Sequence, residues 1–307
     1  LLFIKNYSQK VGEIMKHFIF ILTLFSLTTN TSLNIKTMYN FTQDPIDVVI
    51  PCHEKDTRTL ELAIKGIIEN GSNIRKVIVV SEKQLSTIAE WAPESIFPFT
   101  KKDLAMAIAN GNETICKQVL ESGRIGWIYQ QFLKLYAPFV IKNISPNVLI
   151  LDSDTIFLNH VEFMNKNGEP YFNVGKQEHK PYFEHCAKLL DAPYTIKRVY
   201  KEHSGICNYM LFQRPVLEDL FEKIEDKVGK KSGKKTWEII CSYIKIEDVK
   251  KSCMSEYEIY FNFIMARTNQ AKIKPLKWDD TVVYSKNAKD RFKNLGYDYI
   301  SCHAYRG

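Results

Sequence analysis

A chain of 307 residues is long enough to bury a sizeable core, as one large domain or two small ones. Its composition, 45% hydrophobic and 25% charged, is ordinary for a globular protein, and part of the net charge of +7 is local, in the run GKKSGKK at 229–235. No basic-aromatic interleaving accompanies that run, which argues against nucleic acid as a partner. The cysteines at 52, 116, 186, 207, 241, 253 and 302 form no CxxC pair, which argues against a zinc ribbon or a thioredoxin-type centre.

Met15 opens MKHFIFILTLFSLTTNTS, a basic start followed by ten largely apolar residues (18–27) and then small polar ones. Residues 15–32 read as a secretory signal peptide behind an upstream extension, 1–14. The apolar run is shorter than the roughly 20 residues that cross a bilayer. A signal anchor, which would tie the chain to a membrane, is the competing reading, and a buried core helix is the third. The expected location is the secretory pathway or outside the cell.

Residues 46–50 are a β-branched run stopped by Pro51 and read as a buried strand. Residues 59–69 put Leu60, Ala63, Ile64, Ile67 and Ile68 on one stripe, predicting a helix ended by Asn70-Gly71. Residues 77–80 predict a second strand, and the strand-helix-strand unit implies a parallel α/β sheet. Residues 86–124 read as loops and short helices. Residues 127–137 predict a helix with Ile128, Phe132 and Leu135 buried and with Gln130 and Lys134 sharing another face. Pro138 and the Ser145-Pro146 turn then separate it from the apolar run NVLIL. A strand at 209–212 is followed by a helix from Arg214 to Gly229, with Val216, Leu217, Leu220, Phe221, Ile224 and Val228 on one side. Ser255 and Glu258 fit a capping box at the start of a helix through Met265. The tail holds a strand-like piece ending in Ser301-Cys302-His303. No repeat or long linker divides residues 45–307, which read as one domain.

The chemistry concentrates where NVLIL runs into Asp152-Ser153-Asp154. Ligands of open α/β sheets sit at the carboxyl ends of the strands. Two carboxylates one residue apart on an extended strand end face the same way, and like charges so close call for a divalent cation. Mg²⁺ or Mn²⁺ would take such oxygen ligands and hold a diphosphate. DSDTI also resembles the haloacid-dehalogenase phosphatase signature, in which Asp152 would be the phosphorylated nucleophile. That strand comes first in the phosphatase fold, whereas here a strand-helix-strand unit precedes it.

Seven segments in order, DVVIPCHEKD, GWIYQQFLKLYAP, LILDSDTIFL, HKPYFEHCAKLL, SGICNYMLFQRPVL, SEYEIYFNF and SCHAYRG, resemble the GT-A, nucleotide-diphospho-sugar transferase superfamily. Within it they are most similar to a bacterial group of glycosyltransferase-like proteins. The resemblance implies a GT-A-like, Rossmann-like α/β fold with a mostly parallel mixed sheet flanked by helices. It also implies an enzyme that moves a sugar from a nucleoside-diphosphate sugar to a hydroxyl of a glycan, lipid or protein. Pro51, His53, Lys55 and Asp56 match the nucleotide-binding strand end, with Gln130, Lys134, Asp152 and Ser153 also on the donor. Asp152, Asp154 and His303 match the ligands of Mn²⁺ or Mg²⁺. His179, Tyr182 and His185 match the donor-sugar or acceptor side. Glu256 and Glu258 are the candidates for the base that takes the acceptor proton. Asn208-Tyr209 departs from the pattern, where a histidine is expected. The reading from another class is a catalytically inactive, secreted carbohydrate-binding protein.

Overall fold

The computed structural model describes residues 36–303, apart from 281, 283, 284 and 286. From Met38 onward they form one compact unit. The expected signal segment and upstream extension lie outside the described residues. Among the described residues no helix is long and apolar enough to cross a membrane.

β1 (Ile46–Pro51) is buried at every residue. A 3-10 turn leads into α1 (Leu60–Asn70), which buries Leu60, Ala63, Ile64 and Ile67 but leaves Ile68 exposed. Gly71 follows α1 with φ −81°, not left-handed as the Asn-Gly ending suggests; a Cβ there would lie 2.7 Å from the Ile67 carbonyl oxygen, so close packing is what calls for glycine. β2 (Ile74–Ser81) runs parallel to β1. The stretch that reads as loops and short helices contains β3 (Glu90–Pro93), α2 (Lys101–Ile108) and α3 (Glu113–Leu120). α4 (Ile125–Val140) continues through Pro138, which forfeits one internal hydrogen bond only near the end of the helix. β4 (Asn147–Leu151) and β5 (Thr155–Phe157) flank the paired aspartates. β6 (Tyr171–Phe172), α5 (Lys180–Leu189), β7 (Tyr209–Gln213), α6 (Arg214–Val228) and α7 (Thr236–Ser242) follow. α8 (Glu256–Arg267), β8 (Lys272–Ile273), β9 (Trp278–Asp279), α9 (Ala288–Asn294) and β10 (Tyr299–Ser301) complete the order.

The central sheet has the order β3-β2-β1-β4-β7. Its first four strands are parallel and β7 is antiparallel to β4. This is the expected mostly parallel mixed sheet of a Rossmann-like α/β fold. Side chains alternate across it. Val49, Val148, Ile150, Met210 and Phe212 enter one core with Phe132 and Leu135 of α4, Leu217 and Leu220 of α6, and Tyr260 of α8. Val48, Ile50, Leu149, Leu151 and Leu211 enter a second core with Leu60, Ile64 and Ile67 of α1 and with Phe157 and Tyr299. Burial on both faces is why residues 48–50 of β1 and 148–151 of β4 are apolar without alternation. Truncating the fully buried Phe132 to Ala should cost about 3–5 kcal/mol. All seven cysteines are buried and free.

A smaller sheet, β5-β10-β9, brings the tail back to the site. β10 is antiparallel to β5, with Ser301 opposite Thr155 and their hydroxyls 2.7 Å apart. The residues after Ser301 thereby arrive beside Asp154.

Candidate functional site

At the carboxyl ends of β1 and β4 lies a cavity of about 740 Å³. The paired aspartates reach it from a tight turn rather than an extended strand end: Thr155 N–H donates to the Asp152 carbonyl at 3.0 Å. Strand alternation is therefore not what aims them. The turn is pinned from three directions. Thr59 Oγ1 donates to the Ser153 carbonyl at 3.0 Å. Asp152 N–H donates to the Asn208 carbonyl at 3.0 Å, and Cys302 N–H to the Asp154 carbonyl at 2.9 Å.

The two carboxylates have different partners. Asp152 Oδ1 lies 2.6 Å from Lys134 Nζ and accepts from the Tyr257 hydroxyl at 3.1 Å. Lys134 Nζ also donates to Glu256 Oε1 at 2.7 Å and lies 4.4 Å from the centre of the Tyr257 ring. Lys134 is only 2% exposed and Glu256 1%, so this is a desolvated cation between two carboxylates. Burial works to lower the Lys134 pKa, but Asp152 and Glu256 outweigh it and raise it. Burial also pushes the Glu256 carboxyl up, against the pull of Lys134 and with a further push from Asp152. One cation cannot neutralise two anions, and burial leaves the Glu256 carboxylate the more basic for it.

Asp154 Oδ2 lies 2.8 Å from His303 Nδ1. Burial works to lower the His303 pKa, but the Asp154 carboxylate more than compensates and raises it. Asp154 Oδ1 is buried with no hydrogen-bond partner among the described residues. An unpaired carboxylate oxygen beside an imidazole is a donor set that fits a hard or borderline divalent cation. Asp152 was expected to join it, but its Oδ1 is held by the lysine and the tyrosine. Accordingly, among the described residues no group of three or more His, Cys, Asp or Glu side chains is arranged to hold a metal.

The other expected residues divide. Lys55, Asp56, Gln130 and Ser153 border the cavity with Lys134, Asp152 and Asp154. Pro51 and His53 instead line an adjoining lobe of about 330 Å³, which shares Lys55, Asp56 and Gln130 with the larger one. Gln130 Nε2 donates a long bond, 3.4 Å, to the Pro51 carbonyl. His53 Nδ1 accepts from Lys55 N–H and so caps the 3-10 turn after β1. Tyr182 borders the cavity. His179 and His185 do not: His179 Nε2 contacts the Lys251 and Ser252 carbonyls, and His185 Nε2 donates to the Ile240 carbonyl at 3.0 Å. Three residues along a helix turn a side chain by about 60°, enough to send His185 from the cavity side to α7.

Glu258 also departs from expectation. It lies two residues beyond Glu256, roughly 200° around α8, and points away from the cavity. Its Oε1 accepts from Ser204 Oγ at 2.5 Å and its Oε2 from Asn262 Nδ2 at 2.7 Å. Only half of the expected capping box forms: Ser255 Oγ accepts from Glu258 N–H at 3.2 Å, while the Glu258 carboxylate has gone to Ser204 and Asn262.

Sequence reasoning missed Arg58, Arg124, Trp127 and Asn208, all at the cavity. Arg58 stands three residues after Lys55, a spacing that could have flagged a second cation on the same turn. The Arg124 guanidinium stacks over Trp127 at 4.7 Å, a pairing that i, i+3 spacing on a helix start permits. Asn208 stands out in the sequence only as a departure from the expected pattern, with nothing local to place it at the cavity. No curated protein matches the chain. Apart from Cys302 and His303, every side chain around the cavity lies within residues 31–289, the stretch over which the chain belongs to a family described as a family of unknown function, DUF6492.

Proposed function

We propose that the chain is a metal-dependent glycosyltransferase of the GT-A kind, moving a sugar from a nucleoside-diphosphate sugar to a hydroxyl on a glycan, lipid or protein. The observation that carries this reading is one cavity at the strand ends where Asp154, His303, Lys134 and Glu256 converge from four separate parts of the chain. Such convergence of titratable groups in a cleft is what a catalytic centre needs.

Asp154 and His303 would hold Mn²⁺ or Mg²⁺. When bound, the cation supplies positive charge to a diphosphate leaving group. Lys55, Arg58 and Arg124 add cationic side chains around the same cavity, suited to phosphate oxygens. Lys134 holds Asp152 and Glu256 in place. Glu256, made more basic by burial, takes the proton from the acceptor hydroxyl as that hydroxyl attacks the anomeric carbon, which is the inverting course. Glu258 takes no part in this chemistry and fixes the neighbouring loop instead.

The test is release of UDP or GDP from a panel of sugar nucleotides, with and without Mn²⁺. The wild type should be Mn²⁺-dependent. Asp154→Asn and Glu256→Gln should each lose about 100-fold or more, the scale of a positioned base or charge. Activity that ignores Mn²⁺ and survives Asp154→Asn would remove the reading, and a trapped aspartyl phosphate on Asp152 would favour a phosphatase.

A further inference from the structure

Asn208 combines two unfavourable features. Its backbone is left-handed, with φ 66°, a conformation most residues avoid and asparagine tolerates better than others. Its side chain is 5% exposed, and the buried Nδ2 has no hydrogen-bond partner among the described residues. A buried amide without a partner is destabilising, and strained backbone of this kind persists where its surroundings over-determine it.

Here they do. Ser204 exchanges both backbone hydrogen bonds with Gly175, at 2.8 and 3.0 Å, and its hydroxyl donates to Glu258. Gly205 packs so tightly on α8 that a Cβ would lie 2.7 Å from that of Phe261. The Cys207 carbonyl accepts from the Tyr299 hydroxyl at 2.9 Å, and the Asn208 carbonyl accepts from Asp152 N–H at 3.0 Å. The amide is therefore held rigidly at the wall of the large cavity.

Two other buried atoms of residues lining the cavity are unpaired among the described residues: Asp154 Oδ1 lacks a donor or a cation, and Arg124 Nε, like Asn208 Nδ2, lacks an acceptor. Lys55, Arg58 and Arg124 already offer positive charge to a diphosphate from the same cavity. A neutral amide discriminates for a neutral acceptor such as a hydroxyl. We infer that Asn208 is a specificity-determining residue whose Nδ2 donates to a hydroxyl oxygen of the donor's sugar. This inference rests on the glycosyltransferase reading and names the part of the substrate that the loop recognises.

The test compares binding of nucleoside diphosphates with binding of their sugar esters by calorimetry in Mn²⁺. The probes are UDP, GDP, UDP-glucose, UDP-N-acetylglucosamine and GDP-mannose. Asn208→Gly keeps the left-handed backbone free of strain and deletes the amide. Asn208→Asp keeps the shape and replaces the donor with an acceptor, and the unfolding midpoint checks the fold of both. Each variant should weaken the tightest sugar nucleotide about 10- to 100-fold, the range for a lost buried hydrogen bond to a substrate, and the uncharged Asn208→Gly should leave the matching nucleoside diphosphate unchanged. Equal weakening of both ligands in Asn208→Gly would put the amide on the diphosphate and overturn the inference. So would no weakening of either, or a wild type that gains nothing from any of the sugars. A wild type that binds none of the five removes the parent reading as well.

Discussion

α4 and α5 both border the large cavity, and both carry residues expected there, yet they use them differently. On α4, Gln130 and Lys134 are four apart, stay on one face and both reach the cavity. Around α5, His179, Tyr182 and His185 are three apart; only Tyr182 reaches it. His185 serves the packing of α5 on α7 through Ile240. A histidine-rich segment is therefore a weaker guide to the cavity than helical spacing.

The largest test of this contrast is Lys134→Met. It leaves Glu256 buried, and Asp152 beside it, with no cation between them. Stability should fall by about 3–5 kcal/mol, the cost of breaking a buried ion pair from one side, measured by denaturant unfolding. A loss below about 1 kcal/mol would place Lys134 among ordinary surface pairs and erase the distinction between the helices.

His185 gives the next effect. Burial pushes its pKa down to about 4 from an ordinary 6.5. The folded state keeps the ring neutral while the unfolded chain takes up a proton first. Stability from this residue is thus complete above about 6.5 and is lost as pH falls toward 4. The full swing is roughly 3 kcal/mol by linkage. His185→Phe should flatten that part of the stability-pH curve and leave donor hydrolysis at neutral pH unchanged. A variant that keeps the slope but loses activity would return His185 to the site.

The smallest effect belongs to Gln130→Ala. Its bond to Pro51 is long and only part-buried, so stability should shift by less than about 0.5 kcal/mol, while the KM for a sugar nucleotide rises a few-fold. A change in kcat with constant KM would mean that Gln130 acts on the reacting atoms and not on the donor's seat.

These contrasts mark what the sequence could convey. β1, β4 and the Asp152–Asp154 pair were legible because burial on both faces writes short apolar runs, 48–50 and 148–151, and the charge that ends the second is conspicuous. β3 was not legible: it is a four-residue edge strand with Glu90 and Trp91 exposed, and leaves no period. Lys134 was placed at the site, but its burial was not foreseen, because its partner Glu256 is 122 residues away. His303 depends likewise on the antiparallel pairing of β10 with β5. The choice between Glu256 and Glu258 turned on which side of α8 faces the cavity, and Ser204, the residue that claims Glu258, lies 54 positions upstream. Asn208 was noticed only as a departure from a pattern. Its unpaired amide follows from a backbone angle and a pinned loop, neither of which a one-dimensional reading contains.

The most direct measurement is the affinity for UDP and GDP as a function of Mn²⁺, in the wild type and in Asp154→Asn. A cation seated by Asp154 and His303 requires that Mn²⁺ tighten at least one of the two nucleotides about 10-fold or more in the wild type, a coupling of roughly 1.4 kcal/mol, and that Asp154→Asn abolish the gain. Equal affinity with and without Mn²⁺, or a gain that persists in Asp154→Asn, would contradict it.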